Sequence, residues 1–276
     1  MKLSRRILVH LLLLLICVGF IGPFLWMICT SLKTAKEASH VPLTLLPNGL
    51  YLHNYKRVLD NPSFQMMLYA RNTLIISVLA TLGTVLSSSL AAYSLAKLRW
   101  RGRTTIFVIM LLSMMIPFQV TMVPMYREFR AMGMIGTTLP LWLPAFFGAP
   151  FFIFLLRQFY LTIPSEMSEA ARIDGCSDFG IWWRIILPLS RPALAVVALF
   201  SFMGSWNNFI GPLVYLTHEK TFTLALALQF FDSRAGGANY ELLMAASTLV
   251  ILPIVVLFFL TQKTFIQGIA TTGLKG

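Results

Sequence analysis

Six stretches of this chain run for 18 to 26 residues without one Asp, Glu, Lys or Arg: 7–32, 72–96, 105–126, 139–156, 192–215 and 242–262. A hydrocarbon core about 30 Å thick is crossed by roughly 20 apolar residues in a helix. Lipid offers no partner to a backbone N–H or C=O, so a helix is the economical way to satisfy the backbone of each run. The expectation is an all-α membrane protein with six transmembrane helices forming one domain over residues 1–276. The fourth run, at 18 residues, is at the short end. A further apolar stretch, 221–231, has only 11 residues and is expected to be a loop or re-entrant segment. Lys2, Arg5 and Arg6 before the first run resemble the start of a signal peptide. Its apolar stretch runs past 15 residues, however, and carries Pro23 and Trp26 where a small-residue cleavage site belongs, so an uncleaved first helix is expected.

Composition agrees. Hydrophobic residues make up 57% and charged residues 12%, half the charge of an ordinary soluble domain. That excludes a soluble enzyme, a disordered chain and a disulfide-stapled secreted domain. The net charge of +12 could suggest nucleic acid. In a membrane protein it reads as positive-inside loops that meet anionic lipid headgroups, and no nucleic-acid partner is expected. With the N-terminus in the cytoplasm, inside segments hold 13 of the 22 basic residues, and the short loop 97–103 carries four. Short loops dominate orientation, so both termini are expected in the cytoplasm. Cys17, Cys29 and Cys176 form neither a Cys-x-x-Cys pair nor a disulfide framework.

Chemistry of other kinds is missing. No Gly-Lys dipeptide occurs, which rules out a P-loop, and the four histidines never take metal-ligand spacing. No Gly-x-Ser-x-Gly is present. The spans hold no carboxylate and only His10 among titratable imidazoles, whereas proton-coupled transporters place Asp, Glu or His at membrane depth. No cofactor, metal or catalytic residue is called for. If the protein transports uphill, the energy arrives from another chain. The competing classes are a secondary transporter, for which sodium coupling through backbone carbonyls stays open, and a membrane enzyme.

The loop 157–191 has its own architecture. Pro164 ends the segment before it, Ser165 can cap, and Glu166 and Glu169 suit the positive end of a helix that should stop at Gly175. Ser177 and Asp178 open a second short helix, 179–186, closed by Leu187 and Pro188. Ala170, Ala171 and Gly175 give a small-residue surface. Met167, Ile173, Phe179, Trp182 and Trp183 supply apolar anchors. Such a helix suits a groove in another protein. The bland alternative is an amphipathic pair lying on the headgroups with Trp182 and Trp183 as interfacial anchors.

The segment EAARIDGCSDFGIWWRIILPLSRPALA resembles the cytoplasmic EAA loop of ABC importer permeases. The pattern is Glu169-Ala170-Ala171, then Asp174-Gly175, then Leu187-Pro188, with Cys176 in the place of the usual small residue. Ser31-Leu32-Lys33 leading to Asn54-Tyr55, the stretch SWNNFIGPLVYL at 205–216, and the ending QGIATTGLKG are similar to permeases of the maltose-type carbohydrate-uptake family. The ending resembles the second of the two permeases in such systems.

The resemblance implies a translocation subunit of a sugar importer, itself without ATPase activity. Its implied partners are a second, different permease, two copies of a cytoplasmic ATPase and an extracytoplasmic sugar-binding protein. Glu169, Ala170, Ala171, Asp174, Gly175, Leu187 and Pro188 would dock the ATPase, and Lys275 would join them through a tail reaching between the ATPase subunits. Glycerol phosphate or a polyol is the alternative cargo. Trp206, Asn207 and Asn208 form the most polar patch in any span and could line the sugar pathway by amide bonds and stacking, or glue helices together. Pro117, Gly204, Gly211 and Pro212 could serve as hinges or as ordinary kinks. By composition alone the tail 267–276 would fray.

Overall fold

The computed structural model describes residues 3–40, 42, 44–62, 64–234 and 239–273, and every regular element among them is helical. In chain order these are α1 (Leu3–Ser31), α2 (Ala35–Ala38), α3 (His53–Leu59), α4 (Met66–Lys97), α5 (Arg103–Ser113) and α6 (Phe118–Ala131). Next come α7 (Leu139–Trp142), a 3₁₀ turn (Leu143–Phe147), α8 (Pro150–Thr162), α9 (Ser165–Ile173) and α10 (Asp178–Ile181). A π-helical turn (Trp182–Ile186) leads into α11 (Leu187–Leu189), then α12 (Arg191–Trp206), α13 (Ile210–Tyr215), α14 (Leu224–Arg234) and α15 (Tyr240–Gly273).

Four stretches are long and apolar enough to cross a membrane: Arg6–Ser31, Met66–Lys97, Leu139–Thr162 and Tyr240–Gln262. Two bent pairs, Arg103–Ser113 with Phe118–Ala131 and Asp178–Leu189 with Arg191–Trp206, raise the number to as many as six if each is one span. The expected third run is not one rod. α5 and α6 meet at 99°, where Pro117 takes an extended conformation with ψ 145°. Proline denies its predecessor the helical region, so the helix restarts beyond it. The fourth run breaks at Gly148, whose φ of +97° only glycine adopts freely, between Pro144 and Pro150. The fifth run breaks at residues 207–209, between α12 and α13.

Of the two expectations for 221–231, a loop or a re-entrant segment, the loop needs correction, because most of these residues lie in α14. α15 continues to Gly273, past the start of the tail at 267. Lys275 lies outside the described residues.

The chain divides into two compact units. The first comprises residues up to Ala70 with Leu226–Pro253. Its fixed points are polar. Thr34 and Glu37 form a capping box over α2, and the Thr34 and Asn48 N–H groups on Glu37 hold its carboxyl below the ordinary carboxylate range. Lys33 is buried, donates to the Thr44 carbonyl and lies 5.0 Å over the Trp26 ring. Arg57 on α3 faces the fully buried Glu241 of α15 at 3.5 Å.

The second unit comprises Arg71–Ala225 with the residues from Ile254 onward. Its core joins Ala92 and Tyr93 of α4, Leu156 and Tyr160 of α8, and Ala193 and Val197 of α12 to Ala171, Ile181, Trp182 and Ile186 from the 157–191 loop. Where α7 and α8 are interrupted, α4 supplies what the backbone lost. The Ser87 hydroxyl donates to Ala145 O (2.8 Å), the Ser88 hydroxyl accepts from Ala149 N (3.3 Å), and Phe146 fills a notch at Gly83.

Candidate functional site

The 157–191 loop is bolted to the spans at its start. Lys97 donates to the Ile163 carbonyl, Arg157 Nε donates to Leu95 O at 3.2 Å, and the Arg157 guanidinium lies 4.1 Å over the Phe107 ring. α9 starts at Ser165 with Pro164 in the capping position and no side-chain cap, so Ser165 is not the cap expected. Its stop is as expected. Gly175 has φ +81°, its N–H donates to Arg172 O (3.0 Å), and the Cys176 N–H donates to Ala171 O (2.9 Å). These two bonds are the Schellman pair, and they need the left-handed residue between them.

Ser177 caps the next helix by accepting from Gly180 N at 3.2 Å. Arg172 spans the turn to Asp178 at 2.9 Å, and that hydrogen bond raises the guanidinium pKa further above its ordinary value. The second helix does not end at Leu187-Pro188. It widens into the π turn, where Leu187 N bonds Trp182 O, and runs on through Pro188 to Leu189. Proline inside an α-helix lacks the N–H for the i−4 carbonyl and crowds it, and the wider turn relieves both.

Burial sorts the expected docking residues into two groups. Glu169, Ala170, Asp174, Gly175 and Pro188 are exposed, while Ala171 packs into the core and Leu187 against it. Trp182 is 3% exposed, so it is a core residue and not a headgroup anchor. Burying Ile181 and Ile186 contributes about 1.5–3 kcal/mol each relative to water, so the loop moves as part of the second unit. The side chains left outside are apolar: Met167, Ile173 (87% exposed), Phe179 and Trp183, beside the acidic Glu166, Glu169 and Asp174. Ile173 and Phe179 are thus free to serve as the anchors their sequence positions suggest. The Arg172–Asp178 pair has no signal in the sequence, because it bridges two helices whose register only the turn decides.

Trp206, Asn207 and Asn208 sit at the break between α12 and α13. Trp206 is buried and stacks on Phe202 at 5.5 Å. Asn207 is exposed and donates to Met203 O at 3.0 Å, and the Asn208 carbonyl oxygen accepts from Gly211 N at 3.0 Å. A Cβ at Gly211 would stand 2.8 Å from the Asn208 amide and 3.1 Å from Leu141 of α7. Among the described residues no group of three His, Cys, Asp or Glu could hold a metal.

Known proteins are similar to this chain. The arabinooligosaccharides transport system permease protein AraQ of Halalkalibacterium halodurans is 36% identical over 92% of this chain and 91% of its own length. The trehalose/maltose transport system permease protein MalG of Thermococcus litoralis is 32% identical over 100% of this chain and 99% of its own. A chain in the crystal structure of a bacterial ABC transporter involved in the import of the acidic polysaccharide alginate superposes with a TM-score of 0.84 at 25% identity, covering 95% of this chain and 98% of that one. Residues 62–271, which hold the broken spans and the 157–191 loop, match the family described as binding-protein-dependent transport system inner membrane component, and the chain belongs to it.

Proposed function

We propose that this protein is the translocation-pathway subunit of an ATP-driven sugar importer, moved by a separate cytoplasmic ATPase that grips α9 and the turn after it. One observation carries the reading. The exposed face of Met167, Ala170, Ile173, Asp174 and Gly175 belongs to an element whose other face, Ala171, lies in the same core as α4, α8 and α12. A force applied to the exposed face reaches the spans without a flexible link.

Closure of the ATPase on ATP would push α9 and tilt the spans between inward- and outward-facing states. ATP drives the cycle because it binds the two states with different affinity. The orientation follows from the basic 97–103 loop, which puts both termini and α9 in the cytoplasm. A second permease completes the pathway, and a binding protein delivers sugar from the other side. The relatives named above carry arabinooligosaccharides, trehalose/maltose and alginate, which supports a saccharide cargo. Asn207, exposed at the span break, would offer an amide to that cargo, beside Trp206 and Asn208.

The test is uptake by cells expressing Glu169→Lys or Gly175→Pro in the assembled transporter. Lysine reverses the charge of the gripped face, and proline cannot take φ +81°. Both should abolish uptake and ATPase co-purification while the protein still reaches the membrane. Normal uptake with the ATPase bound would sink the reading. Reporter fusions after Arg101 and Ser177 should signal cytoplasm and one after Asn61 the outside; an outside signal at Ser177 would overturn the topology.

A further inference from the structure

A cavity beside α9 keeps two opposite charges apart. It holds about 500 Å³, with the chain from Lys97 to Trp100 on one wall and Glu169, Arg172 and Asp178 on the other. Lys97 ties the walls together by donating to the Ile163 carbonyl, just before α9 begins. Arg172 and Asp178 occupy each other at 2.9 Å. Arg99 and Glu169 remain, one on each wall. Both are exposed, and neither has a hydrogen bond or ion pair among the described residues.

Water is partner enough for an exposed guanidinium, and the positive-inside rule explains how many basic residues the 97–103 loop carries. Docking changes what Arg99 needs. Glu169 belongs to the gripped helix and also lines the cavity, so a partner seated on Glu169 covers the space that Arg99 shares. A guanidinium taken out of water needs a counter-charge, and it does not escape the need by losing its proton. Its planar fork of N–H donors fits a carboxylate in two parallel bonds. The chain supplies none, because Glu169 stands on the opposite wall and Asp178 is taken by Arg172.

We propose that the ATPase places a carboxylate of its own in this cavity, on the Arg99 guanidinium, which makes the 97–103 loop a second docking contact; the assignment rests on the docking of α9. The second contact has a mechanical consequence. The loop joins α4 to α5, so the ATPase holds those helices directly as well as through the core behind α9. Two contacts on one unit also fix the angle at which the ATPase meets it, which a single helix in a groove does not.

The rate at which the ATPase leaves the purified transporter, followed in nanodiscs at low and at high salt, tests it. Arg99→Glu should speed dissociation about fivefold at low salt, and the gap should close as salt screens the pair. Arg99→Ala should fall between Arg99→Glu and the unaltered protein. Arg99 is exposed and bonds nothing described, so both variants should melt at the unaltered temperature. An unchanged dissociation rate, or a loss that salt does not close, would overturn the proposal. So would a loss that disappears when anionic lipid is left out of the nanodiscs, since Arg99 would then be serving headgroups. Gly175→Pro, measured alongside, separates the two readings. If it frees the ATPase while Arg99→Glu does not, the second contact falls and the docking of α9 stands; if neither frees it, both fall.

Discussion

The Asn54 side chain closes the first span: its Nδ2 donates to Ser31 O at 2.9 Å and also to Lys33 O at 2.8 Å. The last carbonyls of a helix have no partner within it, and here an amide 23 residues away supplies one to the buried end of α1. The Ser31 hydroxyl meets the Tyr55 hydroxyl at 2.6 Å next to it. The pairing of Ser31-Leu32-Lys33 with Asn54-Tyr55 in the sequence is thus a C-terminal cap split between two segments.

Asn54→Asp should therefore destabilise the protein more than Asn54→Ala, since a carboxylate would face two carbonyls. The alanine variant should lose about 1–3 kcal/mol, the cost of leaving buried acceptors unpaired. Thermal unfolding of the purified protein reads both, and equal melting temperatures for the two variants would contradict the cap.

Gly83→Ala should be destabilising, because the new Cβ would lie 2.5 Å from the Phe146 ring. Trimming that ring with Phe146→Ala should relieve part of the loss. The double variant should fall short of the sum of the singles by about 0.5–3 kcal/mol in a thermodynamic cycle. Simple additivity would mean that the two do not touch.

Ser88→Ala strips the partner from the Ala149 N–H where the fourth span breaks. It should cost about 1–3 kcal/mol, while Ser88→Thr, which keeps an acceptor, should cost less. Matching stabilities for the two variants would show that the hydroxyl does not hold the break.

At the α9 turn the backbone should matter more than the ion pair. Arg172→Ala removes a pair whose side chains are 42% and 51% exposed, and such surface pairs are worth about 0–1 kcal/mol. Gly175→Ala forces a side chain to φ +81°, at roughly 1–2 kcal/mol. Limited proteolysis of the 157–191 loop should accelerate more in the glycine variant, and the reverse order would refute the ranking.

Deleting residues 271–276 should lower uptake, or its coupling to ATP hydrolysis, more than it lowers the amount of protein in the membrane. Unchanged uptake and unchanged sugar-stimulated ATPase activity would leave this end of the chain without a part in transport.

Much of this was legible because lipid imposes a single rule. A run without charge must be helical, and all six runs are helical over most of their length. Their continuity was not legible. Pro117 reads as a hinge or kink, but hydropathy averages over a window and is blind to Gly148, which turns the chain without lowering its apolar character. The stop at Gly175 could be read because a left-handed residue has one obvious candidate. The inward face of Ala171 could not, since a small residue between two helices looks the same on either side. α14 was missed for length alone: 11 residues cannot cross a bilayer, but nothing prevents them from coiling.

The π turn at Trp182–Ile186 fits one more residue into a helical turn than an α-helix does. Each residue advances a helix by about 100°, so the helix before the turn is rotated by roughly that angle relative to the helix after it. The turn thus works as a timing offset, setting which side of α10 faces inward when α12 is already fixed. With it, Ile181 and Trp182 point into the core while Phe179 and Trp183 point away. Deleting Arg184, one residue of that turn, would reset the phase and turn Phe179 inward.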